Sequence, residues 1–456
     1  MKTGYIHRKS MNPCGLRFDS SYHLSDGVTV KRVIVSSPYP LMPIDKVADR
    51  IFIGGRARRI YVKDREHGIP FLSSSDILQA DLENVKLASK KYTPNVEDMK
   101  LQKGWTLITR SGTIGNCAFA NAKHAQKLAS EHVIRLVPNN ILKEGYIYAY
   151  LASKQGYSLL TQGTFGAVIQ HIEPAYVASL PISIAPESFQ QKVDDLIQES
   201  ARLREEAADA LAEAHKILKS ELHTSHTNNK KIVSIQDIYK SHNQRFEADY
   251  YASENRDLYD AITQKFRCAR LKDLCERIFR PGIFKRQYVN NDGITFLGGA
   301  DILNAIPSSY KRLSKLQVKK MPELMPKQGT ILVTCGGTIG NTVYVDTQLT
   351  SCAVSQHVMR LIPNGTVPNG YLYAFLSSEI GKKIINLFAF GSVIPQVEAH
   401  HLELLPVPIL GNDTMEYIDT LCMRYVHCNE KAKENERKAI SMVEQEIDSW
   451  SVRKEN

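Results

Sequence analysis

Nothing in this chain approaches the roughly 18 consecutive apolar residues of a membrane-spanning helix, and the opening MKTGYIHRKSMNP lacks the apolar core of a signal peptide. Its eight cysteines, at positions 14, 117, 268, 275, 335, 352, 422 and 428, include no CxxC pair. That scatter argues against a zinc site or a disulfide framework and fits a reducing cytoplasm. Catalytic signatures are missing too. A base methyltransferase needs an Asn/Asp-Pro-Pro-aromatic loop, and Asn12-Pro13-Cys14-Gly15 does not supply one. No acid–acid–lysine nuclease spacing, HExxH or nucleophile elbow occurs. Two glycine-rich turns, Ser111–Asn116 and Gly336–Asn341, lack the Lys-Ser/Thr of a phosphate-binding loop, and β-prone residues follow them rather than a helix. They read as hairpin turns, with contact to a DNA backbone as the second reading. A self-sufficient methyltransferase or nuclease is therefore set aside. The chain is expected to be no enzyme, to need no cofactor and to hold no metal.

What the chain does have is positive charge and repetition. A net charge of +10 and a pI near 9.0 favour a polyanionic partner, while 43% hydrophobic and 23% charged residues describe a globular protein. Its 456 residues suffice for two or three domains with their own cores. From Glu187 to Leu222 a long helix is expected. Phe189, Val193, Leu196, Ser200, Leu203, Ala207, Ala210, Ala214 and Ile217 recur at alternating steps of four and three. A period of 3.5 asks for a partner helix. Moving 225 residues on gives Thr414, Ile418, Leu421, Tyr425, Cys428, Ala432, Asn435, Ala439 and Met442, on a second helical stretch from about Asp413 to Trp450. Two amphipathic helices packed on separate cores are the plainer alternative; the shared offset favours mutual pairing.

The repeat reaches well beyond the helices. Arg17-Phe18-Asp19 returns as Arg245-Phe246-Glu247, and Arg50-Ile51-Phe52 as Arg277-Ile278-Phe279. From there the offset locks at 225. Gly112-Thr113-Ile114-Gly115-Asn116 becomes Gly337-Thr338-Ile339-Gly340-Asn341, Ser130-Glu131-His132 becomes Ser355-Gln356-His357, and Gly145-Tyr146 becomes Gly370-Tyr371. The expected fold class is α+β: two tandem mixed α/β domains and two long helices forming an antiparallel coiled coil, with pseudo-twofold symmetry. The expected ranges are 1–185 and 245–410 for the domains, 186–222 and 411–456 for the helices, and 223–244 for a polar linker. His132 and His357 fall on equivalent strands of different domains, so each reads as a core or hydrogen-bonded histidine rather than half of one site.

Where the copies differ, they are basic. Gly54 to Arg65 carries five cations in twelve residues, among them Arg56, Arg58, Arg59, Lys63 and Arg65. Its counterpart, Arg277 to Arg286, carries Arg280, Lys285 and Arg286 with aromatics interleaved, and a third cluster holds Arg312, Lys315 and Lys319. Solvated loops are one reading of these segments. The other is contact with DNA, in which arginine can grip guanine through two hydrogen bonds. Arg110, beside the first glycine turn, joins the candidates.

Two further pairs of segments carry a resemblance. Gly104–Gly112 and Gly329–Gly336 look like a Gly-Asp-Ile-Leu-type strand, departing from it at Trp105 and Thr330. Gly163–Ile172 and Gly391–Val397 each precede Leu-Pro-Ile/Val. In this order, doubled and followed by heptads, they resemble the specificity subunit of type I restriction-modification enzymes. The resemblance implies target-recognition domains that read a bipartite, asymmetric site on double-stranded DNA, with the helices as spacer. It also implies two modification (methyltransferase) subunits and restriction subunits as partners, which would hold the methyl donor and ATP. A recognition or scaffold subunit of another phage-defence assembly, without restriction partners, is the alternative.

Overall fold

Each glycine turn closes a two-stranded hairpin, and each hairpin seeds one domain. The structure is a computed structural model that describes residues 19–56, 58–165, 170–223, 233–241, 244–391 and 395–452. Thr106–Thr109 pairs antiparallel with Cys117–Phe119 across the first turn. Val133–Pro138 joins the other side of the hairpin, and Ala48–Ile53 completes a four-stranded antiparallel sheet. In the second copy the same order is built from Cys275–Phe279, Val358–Pro363, Ile331–Thr334 and Thr342–Tyr344. Gly112 and Gly115, at φ +80° and +83°, and Gly337 and Gly340, at +75° and +84°, take a left-handed backbone that other residues adopt at a cost. The threonine ahead of each turn closes it: Thr109 Oγ1 accepts from Asn116 N at 3.0 Å, and Thr334 Oγ1 from Asn341 N at 3.0 Å. The hairpin reading of these turns is therefore the structural one.

The chain divides into two compact units, one of residues 1–205 and 431–456, the other of residues 206–430. Each long helix contributes to both. In the first unit, Glu187 onward lies with the second half of the C-terminal helix, Asn412–Val452, and Ser200 Oγ donates to the Ala432 carbonyl at 2.9 Å. Arg204 pairs with Glu436 at 2.6 Å beside it. In the second unit, the end of the central helix, Glu187–Glu221, meets the start of the other, with Arg424 on Glu206 at 2.7 Å. First half against second half, and second against first, makes the pair antiparallel.

The seam differs in one respect from the heptads. Val193, Ser200, Ala207, Ala210 and Ala214 are buried, but so are Ile197, Ala201, Leu211, Leu218 and Leu222, while Phe189, Leu196, Leu203 and Ile217 are only half-buried. The helix packs on its own unit's core as well as on its partner helix, which widens the buried stripe and turns it toward the sheet side. Its counterpart, 225 residues on, is buried at Ile418, Cys422, Ala432, Glu436, Ala439, Val443 and Ile447, so the repeat holds at the level of burial.

Paired residues fasten each domain to its helices. Gly145 N donates to Asp194 at 2.7 Å and Gly370 N to Asp419 at 2.6 Å. A Cβ on Gly145 would lie 2.7 Å from that carboxylate oxygen, which is why the Gly-Tyr pair recurs. Ala122 N donates to Glu205 at 2.8 Å and Thr347 N to Glu430 at 3.2 Å. Residues 224–232, 242 and 243 of the expected linker lie outside the described residues. The rest of it is not all linker: Ser234 and Asp237 form a capping box on the helix Ile235–Lys240. Arg17 and Phe18 also lie outside the described residues, where Asp19 N-caps the helix Ser20–His23. Among the described residues no helix is long and apolar enough to cross a membrane.

Several core polar groups have no equivalent in the second copy, and His124 is one of them. His124 is buried, its ring within 3.0 Å of Asn121 Oδ1 and 3.3 Å of the Ile77 carbonyl, whereas the residue 225 further on is Leu349. Burial, with Lys127 and Arg204 nearby, pulls its pKa down to about 4, against opposing contributions from the Ile77 carbonyl and Glu436. A histidine whose folded pKa lies below its unfolded value stabilises the fold above about pH 6.5 and loses that contribution as pH falls toward 4. The expected loss in the first unit approaches about 3 kcal/mol. Hydrogen exchange at Thr106–Thr109 between pH 7 and 4 should show this loss, and His124→Leu should flatten it. An equal acid response in the variant would remove His124 as its cause.

Candidate nucleic-acid interface

The basic insertion of the first unit begins at Gly54. The Arg135 guanidinium occupies the space a side chain would need there, with Nη2 2.7 Å from where a Cβ would stand. Beyond it the chain builds a second, small sheet of Tyr61–Val62, Leu87–Ser89, Gly68–Leu72 and Leu128–Ala129, the last pair parallel. Phe71 is buried in this sheet. The Arg59 guanidinium lies 5.7 Å from its centroid, and the half-exposed Tyr61 meets it edge-on at 6.2 Å. Arg59 Nη2 donates to both oxygens of Glu131 at 3.1 Å. Glu131 adjoins His132, whose Nδ1 is 3.1 Å from Ser111 Oγ on the glycine turn. Burial works against the Glu131 charge, but its own backbone N–H and the Arg59 guanidinium together hold the carboxyl below its ordinary range.

The second unit repeats this arrangement. Arg286 lies 5.2 Å from the Phe296 centroid, Tyr288 meets that ring edge-on at 6.1 Å, and Arg286 Nη2 reaches Gln356 Oε1 at 3.5 Å. Gln356 Nε2 is 3.4 Å from His357. Phe71 and Phe296, Glu131 and Gln356, and His132 and His357 stand 225 residues apart; Arg59 and Arg286, like Tyr61 and Tyr288, stand 227 apart. The offset is 227 from the first framework strand through the tyrosines and drops to 225 before the phenylalanines, where the second copy is two residues shorter. Neither tyrosine, nor the Phe71/Phe296 and Glu131/Gln356 pairs, was among the expected contacts. The signal was present in the 227-residue offset of Arg50-Ile51-Phe52, which carries forward to Arg59 and Tyr61.

The other expected contacts divide into two groups. Arg56 is 90% exposed and 4.0 Å from Glu131. Arg58, Lys63, Lys285, Arg312 and Lys319 are exposed and carry no ion pair among the described residues. Arg65 pairs with Glu83 at 2.8 Å, and Lys315 pairs with Asp292, both at the surface. Arg110 and Arg280 are engaged differently. Arg110 binds Glu173 and the Ile172 carbonyl, and Arg280 binds Glu398 at 2.8 Å; their side chains are only 15% and 29% exposed. The two glutamates are 225 residues apart, but the arginines reach them from unrelated positions: Cys335 stands where Arg110 would repeat, and Ile53, at the local offset of 227, where Arg280 would. Each arginine holds its domain's closing loop, and little of its charge is left for a ligand.

The arrangement can therefore present a fixed, partly exposed arginine beside an aromatic edge, with exposed cations around it. Fixed arginines suit base edges and free cations suit phosphates. The family model of the type I restriction modification DNA specificity domain matches residues 53–200 and again residues 264–410, together more than half of the chain. A search of curated proteins finds no match. Among solved structures, the S subunit of a type I restriction-modification system from M. genitalium is 12% identical over 90% of this chain and 96% of its own, with a TM-score of 0.35. The HsdS subunit from Thermoanaerobacter tengcongensis is 12% identical over 90% and 97%, with a TM-score of 0.28. At those values the assignment rests on the two family matches.

Proposed function

Since this chain belongs to the type I restriction modification DNA specificity family and its role is DNA sequence recognition, we propose that it reads a bipartite, asymmetric site and positions partner enzymes upon it. Each recognition domain, residues 1–185 and 245–410, reads one short half-site, and the helices at 186–222 and 411–456 set the gap between them. Two modification subunits, adenine methyltransferases, and restriction subunits complete the assembly, and they bind the methyl donor and ATP. The observation that carries this reading is the doubled constellation of Arg59, Tyr61, Phe71 and Glu131 with Arg286, Tyr288, Phe296 and Gln356. One framework used twice, with different surrounding loops, suits two half-sites of different sequence.

Catalysis by partners has a direct test. The purified chain, incubated with labelled S-adenosylmethionine and duplex DNA, should transfer no methyl group, and adding the modification subunit should start transfer to adenine. Transfer by the chain alone, free of contaminating partner, would place the chemistry here and overturn the reading.

A further inference from the structure

We propose that Arg59 and Arg286 are the guanine-reading residues of the two half-sites, and that Glu131 and Gln356 set how strictly each guanine is demanded. The proposal rests on the reading of the chain as a two-half-site recognition subunit. Both bonds from Arg59 to Glu131 leave through Nη2. Its Nε and Nη1 make no hydrogen bond among the described residues, and the side chain is 38% exposed. Nε–H and Nη1–H lie on different edges of the guanidinium, each parallel to one Nη2 hydrogen. On the edge left free, the Nη2 hydrogen that Glu131 does not take completes a fork of two parallel donors for guanine O6 and N7, which lie side by side in the major groove. The Phe71 ring and the carboxylate fix the plane from two directions, so little freedom remains to be lost on binding.

The carboxylate also argues against the simplest alternative, a phosphate contact. A phosphate at the free edge would lie close to the Glu131 charge and be repelled, whereas a neutral base edge would not. The surrounding cations without a partner, such as Arg58 and Lys63, have no such restraint and suit the backbone. In the second unit the clamp is weaker. Gln356 is neutral, its oxygen is 3.5 Å from Arg286 Nη2, and the glutamine is 6% exposed, too buried to read a base itself. Arg286 therefore keeps more freedom to turn toward a phosphate or a second base, and the half-site it reads is the more tolerant. Glu131 and Gln356 act through the arginines and are positioning residues.

The test uses the chain assembled with its modification subunit. Methylation rates are measured on a duplex panel in which each base pair of the wild-type site is changed singly. Arg59→Lys, which keeps the charge but cannot fork, should lose discrimination at one guanine of one half-site by roughly 5- to 150-fold. The other half-site should be unaffected. Glu131→Gln should relax the same position without weakening overall binding, and Gln356→Glu should sharpen the corresponding position in the other half-site. A structural role for Glu131 would instead lower methylation of all sequences together. Arg59→Lys and Glu131→Gln profiles matching wild type, or loss spread evenly over every substitution with a flatter salt dependence, would sink the proposal. If the wild-type assembly itself shows no sequence-specific methylation, the underlying functional reading fails instead.

Discussion

Replacing Arg135 with alanine should cost the first domain about 3–5 kcal/mol, and Arg360→Ala should cost the second domain as much. Both side chains are buried, at 0% and 1% exposure. Arg135 Nη1 donates to the carbonyls of Val133 at 2.7 Å and Ser130 at 3.2 Å, and Nη2 to those of Ala129 and Met99. Arg360 repeats this on the carbonyls of Ser355, Val358 and Val354. Among the described residues no carboxylate pairs directly with either guanidinium, and burial pulls each pKa down to about 10, which still leaves both charged at neutral pH. Nε of neither arginine finds a hydrogen-bond partner among the described residues. Truncation would leave several carbonyls buried and unpaired at about 1–3 kcal/mol each, offset in part by relief of the buried charge. Arg135→Met, which restores volume but no donors, should remain destabilised. Hydrogen exchange resolved by domain reports the effect: fast exchange at Thr106–Thr109 with protection kept at Ile331–Thr334 is expected. A loss below about 1 kcal/mol would mean the carbonyls find other donors.

The second large effect concerns the gap in the DNA site. The central helix has 35 residues and the C-terminal helix 41, and Ala207 and Ala432 stand at equivalent places, both buried. Inserting one heptad beside each keeps the seam in phase and adds roughly 10.5 Å of rise. If the paired helices set the gap, the unread stretch should lengthen by about one to about three base pairs. Three would use the whole rise; fewer is expected because each added pair also turns the second half-site by about a tenth of a turn. The half-sites themselves should not change. A four-residue insertion in one helix alone puts its seam out of register and should reduce methylation at every site. An unchanged gap after the double insertion would show that something other than the helices measures it.

Much of this was legible in the sequence, for reasons that also explain what was not. The helices announced themselves because a seam of period 3.5 and a 225-residue repeat agree at Val193 and Ile418, Ala207 and Ala432, and Ala214 and Ala439. The glycine turns were legible because backbone geometry, rather than packing, selects glycine at 112, 115, 337 and 340. The rotation of the buried stripe toward Ile197 and Leu218 was not, since a helix with two neighbours has no single apolar period. Arg110 and Arg280 read as free cations because their glutamates lie 63 and 118 residues away along the chain, a separation no local pattern spans. The Arg59 and Arg286 pairing was hidden because the offset is 227 through the tyrosines and changes to 225 only in the loop before Phe71 and Phe296. Loops tolerate such slips because their backbones are not held in a ladder.

The most direct measurement is a map of methylated adenines in a host that carries this chain together with its modification subunit. The account predicts one motif made of two short half-sites of different sequence, separated by a gap of fixed length in which any base is accepted. A single continuous motif, two identical half-sites, or a gap of variable length would contradict it.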